Sequence, residues 1–388
     1  MSGERIASVL GVAQLPIRTR QPEYTYADLL GRVATAAIAD AGLEPRDIDG
    51  VLLALAPVTV LGVDEPYFWS MAGLPGSPRF LGRVHVLAAS GLSAFRLACA
   101  YVAAGRAKRV LVVGADLADE VPNLAGAIGQ LHDPFTERQV VRNAITTAAV
   151  QMSAYMQRNG LDEAAMAEVV VKNRANGVLN QYAQLRQAVT VQEVLASPVI
   201  AWPVKRMDSS PRSSGAAAVV VGPPEAGKVA ATGFGSIANG RNMGTRMVPG
   251  ANSYLDGSDL AEAGRRAYAM AGITAPTRAV GMAEVYVSFG ILELLSIEAL
   301  GLAGDGGVAG AMMQHGHFSR DSALPVNPSG GATCGSPISI TGLIRVIESV
   351  LQLSGRAGDH QIEPRAPTAV VSAIGGSFQL HEVGVLQA

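Results

Sequence analysis

The residues of this chain that could do chemistry are few and widely spaced. Among 388 residues there are two cysteines, Cys99 and Cys334, and six histidines. A cysteine reacts as its thiolate, which needs a helix N-terminus, a cation or an imidazole beside it. Cys99 lies among Leu97, Ala98 and Ala100 in an apolar helical stretch, where a free cysteine acts as a small buried hydrophobe. Cys334 falls in a glycine-rich loop, LPVNPSGGATCGSPISITG from Leu324 to Gly342, and is open to either a chemical or a structural role. His315 and His317 stand at i, i+2 in MMQHGHFSRD without a third ligand nearby; a solvated loop and no metal are expected there. His85 precedes a turn at Ala88, and His132 sits with Asp133 and Phe135 in a more polar stretch. His85 is either structural or within reach of a substrate, and His132 could contact a substrate or a partner. Ser90 opens a helix and reads either as its N-cap or as part of a site. Gly330, Gly331 and Gly335 would let backbone approach a ligand closely. The phosphate-cradling G-x-x-x-x-G-K-[ST] pattern does not occur.

These residues need a scaffold, and the chain supplies an alternating one. Apolar β-branched runs at Ile6–Val12, Asp49–Leu55, Arg109–Gly114 and Ala216–Val221 are separated by helical stretches at Thr25–Ala41 and Ser90–Ala104. Such continuous apolar runs beside helices predict a mainly parallel sheet covered on both faces. The stretch 119–211 is more polar and helix-rich (Arg142–Arg158, Asp162–Asn176) and reads as an excursion over the sheet. After PPEAGK (Pro223–Lys228) the alternation restarts, with strands at Val229–Ile237 and Ala279–Tyr286 and helices at Leu260–Ala271 and Ile291–Leu300. A helix at Gly342–Ser354 and strands at Thr368–Gly375 and Gln379–Leu386 close the chain. Ser90-Gly91-Leu92 before AAGRAKR and VLVVGA is echoed by Thr341-Gly342-Leu343 before LSGRAG and AVVSAIGG. That self-similarity marks a duplicated unit. Two halves are expected, 1–222 and 223–388, with a site where helix N-termini meet at the carboxyl ends of strands.

Composition narrows the classes. Lys+Arg 30 against Asp+Glu 32 gives a formal charge of −2, with 49% hydrophobic and 16% charged residues. That balance argues against disorder and against a basic surface recruiting nucleic acid. The longest apolar runs, such as Gly215–Gly222, fall short of the ~18–20 residues of a membrane span. Met1–Arg20 shows no charged-then-apolar leader pattern. With so few cysteines, a soluble cytoplasmic protein is expected.

Four stretches in order resemble the thiolases, in particular the sterol-carrier-protein-type (lipid-transfer) thiolases. Ala88-Ala89-Ser90-Gly91 with LSAFRLACAYVAAGRAKRVLVVGAD is similar to the nucleophile-bearing turn, helix and strand. Asp208–Ala218, D-S-S-P-R-S-S-G-A-A-A, resembles D-C-S-P-x-S-D-G-A-A-A. Glu284–Gly307 resembles E-V-H-D-x-F-x-x-N-E-L-x-x-x-E-A-L-G-L, and Leu324–Gly342 resembles L-P-V-N-P-S-G-G followed by G-H-P-x-G-A-T-G. The resemblance implies a duplicated βαβαβαββ fold in five layers, α-β-α-β-α. It also implies a homodimer acting on acyl-CoA, with CoA thioester as substrate and no cofactor.

The same resemblance makes the departures informative. Ala88 stands at the nucleophilic cysteine position, Tyr286 at the H-D-x-F histidine, Val287 at its aspartate and Leu292 at the N-E-L asparagine. Ser336 replaces the G-H-P histidine, and Ala373 replaces the second cysteine. Tyr286, Cys334 and Ser336 are therefore the catalytic candidates. His85, Ser90, Gly91, Asn327, Gly330, Gly331 and Gly375 form the expected substrate and oxyanion region. Some divergent members of this family cleave β-hydroxyacyl-CoA esters by a retro-aldol route using tyrosines, and such members pair with a small zinc-ribbon/OB-fold protein. Three readings stand open: C–C cleavage or acyl transfer without the usual cysteine, a catalytically degenerate subunit that binds acyl-CoA or supports a partner, and an acetyl-CoA acyltransferase using a displaced cysteine.

Overall fold

The computed structural model describes residues 3–56, 73–239 and 255–388, apart from positions 131, 140 and 377. The chain begins with strand β1 (Ala7–Gln14), helix α1 (Tyr26–Asp40), strands β2 (Gly50–Ala54) and β3 (Phe80–Val84), helix α2 (Ser90–Ala103) and strand β4 (Val110–Asp116). Helices α3 (Ala144–Asn159) and α4 (Glu163–Leu179) and a short hairpin, β5 (Val199–Ala201) with β6 (Val204–Lys205), follow before β7 (Gly215–Gly222). Then come β8 (Ala230–Ala238), α5 (Ser258–Ala271), β9 (Met282–Glu284), α6 (Gly290–Ala299), α7 (Thr341–Leu353), β10 (Thr368–Gly375) and β11 (Leu380–Gln387).

Local chemistry explains where these elements start. Thr25 caps α1: its Oγ1 accepts from Asp28 N at 3.1 Å while the Asp28 carboxylate accepts from Thr25 N at 3.0 Å. This capping box satisfies two orphan N–H groups. Behind it Tyr26, Leu29, Leu30, Val33, Ala34, Ala37 and Ile38 are buried at helical spacing, which gives α1 one apolar face. Every residue of β4 and of β7 is buried, as expected for strands covered on both sides.

The strands hydrogen-bond in the order β3-β2-β4-β7-β1-β8-β11-β10-β9. The run β1-β7-β4-β2 is repeated by β8-β11-β10-β9, and β1 and β8 meet only through Ala7–Ala231 and Ser8–Ala230. The sheet is mixed, contrary to the mainly parallel expectation. β2 pairs in parallel with β3 and β4, and β9 with β10, but the β1–β7, β4–β7, β8–β11 and β10–β11 pairs are antiparallel. The β10–β11 link is a short turn, and only antiparallel neighbours can be joined that way.

Three cores stack through the sheet and its helices. Along β4, Leu111 and Val113 pack toward α1 while Val110 and Val112 pack toward α2 and α7. Along β10, Ala369 and Val371 face that same middle layer, and Val370 faces the core that contains Leu260 of α5 and Leu294 of α6. The result is the layered α-β-α-β-α arrangement. Its centre is the contact between the two echoed helix starts: a Cβ on Gly91 would lie 2.5 Å from Leu343 N, and one on Gly342 would lie 3.0 Å from Leu92 N. Glycine at both positions lets the two helices touch backbone to backbone. Among the described residues no helix is long and apolar enough to cross a membrane.

Candidate active site

A cavity of about 460 Å³ opens at the carboxyl ends of β4, β9 and β10, roofed by residues from 122–124, 128, 132 and 143–151 and by the 209–213 turn. Its wall brings together Ala88, Tyr286, Leu292 and Ser336, four positions that the resemblance singled out, with Ile374 and Phe378. Ligands in α/β folds bind at strand carboxyl ends because helix N-termini and loops converge there.

The turn that presents Ala88 is held by backbone geometry and by Ser90. Leu87 has φ +57°, a left-handed conformation that costs a non-glycine residue energy and persists only where its surroundings impose it. Ser90 Oγ accepts from Val86 N at 2.8 Å and donates to Leu55 O at 2.7 Å. The N-cap of α2 is Ala89, so Ser90 does not cap the helix; its hydroxyl ties the turn to the end of β2. A Cβ on Gly375 would meet Val86 O at 2.6 Å, so the end of β10 lies directly against this turn. Ala88 thus sits at the N-terminus of a 14-residue helix, where partial positive charge and backbone N–H groups favour a developing anion.

Tyr286 is delivered by a buried polar network. Val285 N donates to Asn327 Oδ1 at 2.9 Å, and Asn327 Nδ2 donates to Glu293 Oε2 at 2.7 Å. Asn173 Nδ2 donates to the same carboxylate oxygen at 2.6 Å, and Lys172 Nζ lies 2.8 Å from Glu293 Oε1. This chain of bonds from α4 through α6 fixes the segment that follows β9. The strand ends at Glu284 and not at Tyr286: Tyr286 N donates to Ser372 Oγ at 3.4 Å on the β10 side, and on the other edge Val285 N takes the Asn327 side chain. Burial pushes the Tyr286 phenol above its ordinary value, against a hydrogen bond with Ser288. The phenol therefore stays protonated near neutrality.

The cavity also contains His132, which the sequence offered as a contact for substrate or a partner, and residues the sequence did not single out. His132 lines it, 4% exposed, with Nδ1 3.6 Å from the buried Glu137 Oε2. Burial lowers the His132 pKa more than Glu137 raises it, so the imidazole is neutral near pH 7. Gln151, Ser213 and Ser288 join the wall. Ser336 N donates to Ser213 Oγ at 2.9 Å, which couples the glycine-rich loop to the 209–213 turn. A polar residue standing alone in an apolar surround was the available signal for Gln151.

Several expected site residues lie elsewhere. Cys334 is 1% exposed, its Sγ donates to Asn173 O at 3.2 Å, and burial pushes its thiol up to about 12. With Gly331 it borders a separate void of about 10 Å³. Its loop turns toward α4, where a Cβ on Gly330 would lie 2.9 Å from Gly177 Cα. The structure therefore does not bring the displaced cysteine to the cavity. Cys99 is buried in the middle layer, as is Ala373, whose Cβ lies 3.1 Å from a Cβ built on Gly342. His85 is exposed and outside the cavity wall. Asn327 acts through the Glu293 network, and Gly91 and Gly375 act by close packing. His315 and His317 lie on an exposed turn.

Comparison with known proteins agrees with this fold. Residues 244–388 match the family described as thiolase C-terminal domain-like. Over 385 residues the chain is 30% identical to the acetyl-CoA acetyltransferase of Methanothermobacter thermautotrophicus, covering 97% of this chain and 99% of that protein. The chain belongs to the thiolase superfamily. Its likeness extends to sterol carrier protein 2 of Homo sapiens, 26% identical over 376 residues, spanning 90% of this chain and 66% of that longer protein. This is a thiolase-superfamily protein of the sterol-carrier-protein-2 type. The Ltp2–ChsH2(DUF35) aldolase shares its fold with a TM-score of 0.81 at 21% identity, over 98% of this chain and 97% of that one. A monomeric SCP2-thiolase-like protein from Mycobacterium smegmatis gives 0.72 at 19% identity, over 100% and 78%. In this thiolase-superfamily chain, the helix start that the resemblance assigns to the nucleophile carries Ala88, and neither cysteine lines the cavity.

Proposed function

We propose that this protein cleaves the Cα–Cβ bond of a β-hydroxyacyl-CoA by a retro-aldol reaction, with Tyr286 in the acid/base machinery and no covalent cysteine intermediate. The observation that carries the reading is the pairing of Tyr286 with Ala88 across one apolar cavity from which both thiols are excluded. In the reaction a base removes the β-hydroxyl proton, the O–H electrons become the new carbonyl, and the Cα–Cβ pair passes to the thioester as an enolate. The helix start at Ala88 is placed to stabilise that enolate oxygen, and the Tyr286 phenol returns a proton to Cα. One β-hydroxyacyl-CoA gives one aldehyde or ketone and one shortened acyl-CoA, which balances without a cofactor.

The cavity's wall is mostly aliphatic and aromatic, with Ile128, Ile145, Leu292, Ile374 and Phe378. That lining suits an apolar β-substituent. A homodimer in the cytoplasm, with a small zinc-ribbon/OB-fold protein as further partner, is part of the same reading. The description of one structural relative, an aldolase that names DUF35, supports the partner. The test is turnover of β-hydroxyacyl-CoA esters, followed by mass spectrometry, with and without such a partner. Paired release of a carbonyl compound and a shorter acyl-CoA is expected, reduced about 10²–10⁴-fold in Tyr286→Phe. Binding without turnover in every combination would instead identify a degenerate subunit.

A further inference from the structure

Retro-aldol cleavage needs a proton acceptor as well as a donor, and this inference rests on that reading of the reaction. Tyr286 is held as a neutral phenol and suits the donor role. Ser336, at the position where the resemblance puts a histidine, has a hydroxyl with no basicity near neutral pH. The cavity contains one imidazole among the described residues, that of His132. It comes from the chain between β4 and β7, on the roof, and not from the helix start that carries Ala88 or the strand end that carries Tyr286.

The surroundings of His132 are built. Glu137 is 1% exposed and places Oε2 3.6 Å from His132 Nδ1. That carboxylate is itself fixed by Asp133 N, which donates to Oε2 at 2.9 Å. Arg138 Nε donates to the His132 carbonyl at 2.8 Å, clamping the backbone of the same turn. Asp133 closes the turn by accepting from Phe135 N at 2.9 Å and Thr136 N at 2.7 Å. A carboxylate within ion-pair range of Nδ1 favours the tautomer with hydrogen on Nδ1. This carboxylate–imidazole pair has the orientation logic of a general base held by a third group.

We propose that His132 is the general base that takes the β-hydroxyl proton, with Glu137 as the positioning residue that sets its tautomer and stabilises the imidazolium. The proton moves from the substrate hydroxyl to His132 Nε2 as the Cα–Cβ bond breaks. Tyr286 then gives its phenolic proton to Cα, and the imidazolium proton restores the phenol through solvent. The cycle closes with no oxidant, reductant or second substrate. Among the described residues, the charged groups facing His132 act in opposite senses: Glu137 raises its pKa and Arg138 lowers it. Acidification protonates the imidazole and removes the base, so cleavage must fall on the acid side of the profile.

The test uses the full chain, with its partner where turnover requires one, and two probes, β-hydroxybutyryl-CoA and β-hydroxy-β-phenylpropionyl-CoA. His132→Asn is expected to lower kcat about 10²–10⁴-fold, with melting temperature and acyl-CoA binding little changed. Glu137→Gln keeps the bond to Asp133 N but removes the charge, so the acid limb of kcat/KM is expected to move to lower pH. A merely structural role for Glu137 would leave that limb in place. Wild-type cleavage with His132→Asn within threefold of it overturns the role of His132 and leaves the retro-aldol reading standing. Absence of cleavage by the wild-type protein, alone and with partner, overturns the reading and this role together. Should His132→Asn not fold, an unmoved acid limb in Glu137→Gln overturns the inference by itself.

Discussion

The ion pair behind Tyr286 gives a prediction whose size follows from its burial. The Lys172 and Glu293 side chains are 6% and 0% exposed, 2.8 Å apart. Lys172 also donates to Asn173 Oδ1 at 2.7 Å and Val326 O at 2.6 Å, and Glu293 receives the two amide donors of Asn173 and Asn327. Lys172→Met leaves a carboxylate in the core with amide partners only, and Glu293→Leu leaves an ammonium with carbonyls only. Breaking one side of such a pair costs about 3–5 kcal/mol, whereas replacing both by apolar groups is often near neutral. Here Glu293→Leu also strands two amide donors, at about 1–3 kcal/mol each, so the double variant is not free of cost. The shared charge term should still appear as a coupling of about 3 kcal/mol. Guanidinium unfolding of wild type, both single variants and the double variant, followed by circular dichroism, measures it. Costs that add to within about 0.5 kcal/mol would refute the claim that this pair acts as a buried unit.

Three further outcomes follow from the same structure. Gly91→Ala puts a Cβ 2.5 Å from Leu343 N and 2.8 Å from Leu343 Cβ, which should cost about 1–3 kcal/mol by overpacking; an unchanged melting temperature would contradict the close helix contact. Iodoacetamide near pH 8 should leave both native cysteines unmodified, because Cys99 and Cys334 are buried with raised pKa values, while Ala88→Cys should add one thiol that reacts from the cavity. Burial pushes the Glu348 carboxyl up, but bonds from His360 and Gln14 and the charge of Arg345 outweigh it and leave its pKa lowered. That stabilisation is present above the ordinary carboxyl range and is lost as pH falls through the folded value. The stability gap between wild type and His360→Asn should then be wide near neutrality and close below about pH 4; a gap independent of pH would sink the assignment.

The parts legible in the sequence are those encoded locally. Thr25 and Asp28 announce the start of α1, and the echoed Ser90-Gly91-Leu92 and Thr341-Gly342-Leu343 mark helices that meet through their glycines. Continuous apolar runs locate β4, β7, β10 and β11 to within about two residues. The edge strand β3 escapes a sequence reading because FLGRV is half-exposed and mixed in character, and pairing alone defines it. Strand β9 reads too long because side chains distant in sequence, Asn327 and Ser372, take the backbone N–H groups of Val285 and Tyr286 that would have continued it. At the site, motif position places Ala88, Tyr286 and Ser336, and the cavity unites them. His132 has no such marker, since its arrival depends on how the chain between β4 and β7 folds over the strand ends. Cys334 turns the other way for a similar reason: the left-handed Gly330 and Gly331 steer its loop onto α4.

The central claim is that this thiolase scaffold performs C–C cleavage through a tyrosine and without a thiol. Its most direct test is the product spectrum from β-hydroxy-β-phenylpropionyl-CoA, with partner present, for wild type, Tyr286→Phe and Cys334→Ala. The account predicts equal amounts of benzaldehyde and acetyl-CoA from wild type and Cys334→Ala, and about 10²-fold less or lower still from Tyr286→Phe. Full cleavage by Tyr286→Phe, or activity that disappears with Cys334, would contradict it.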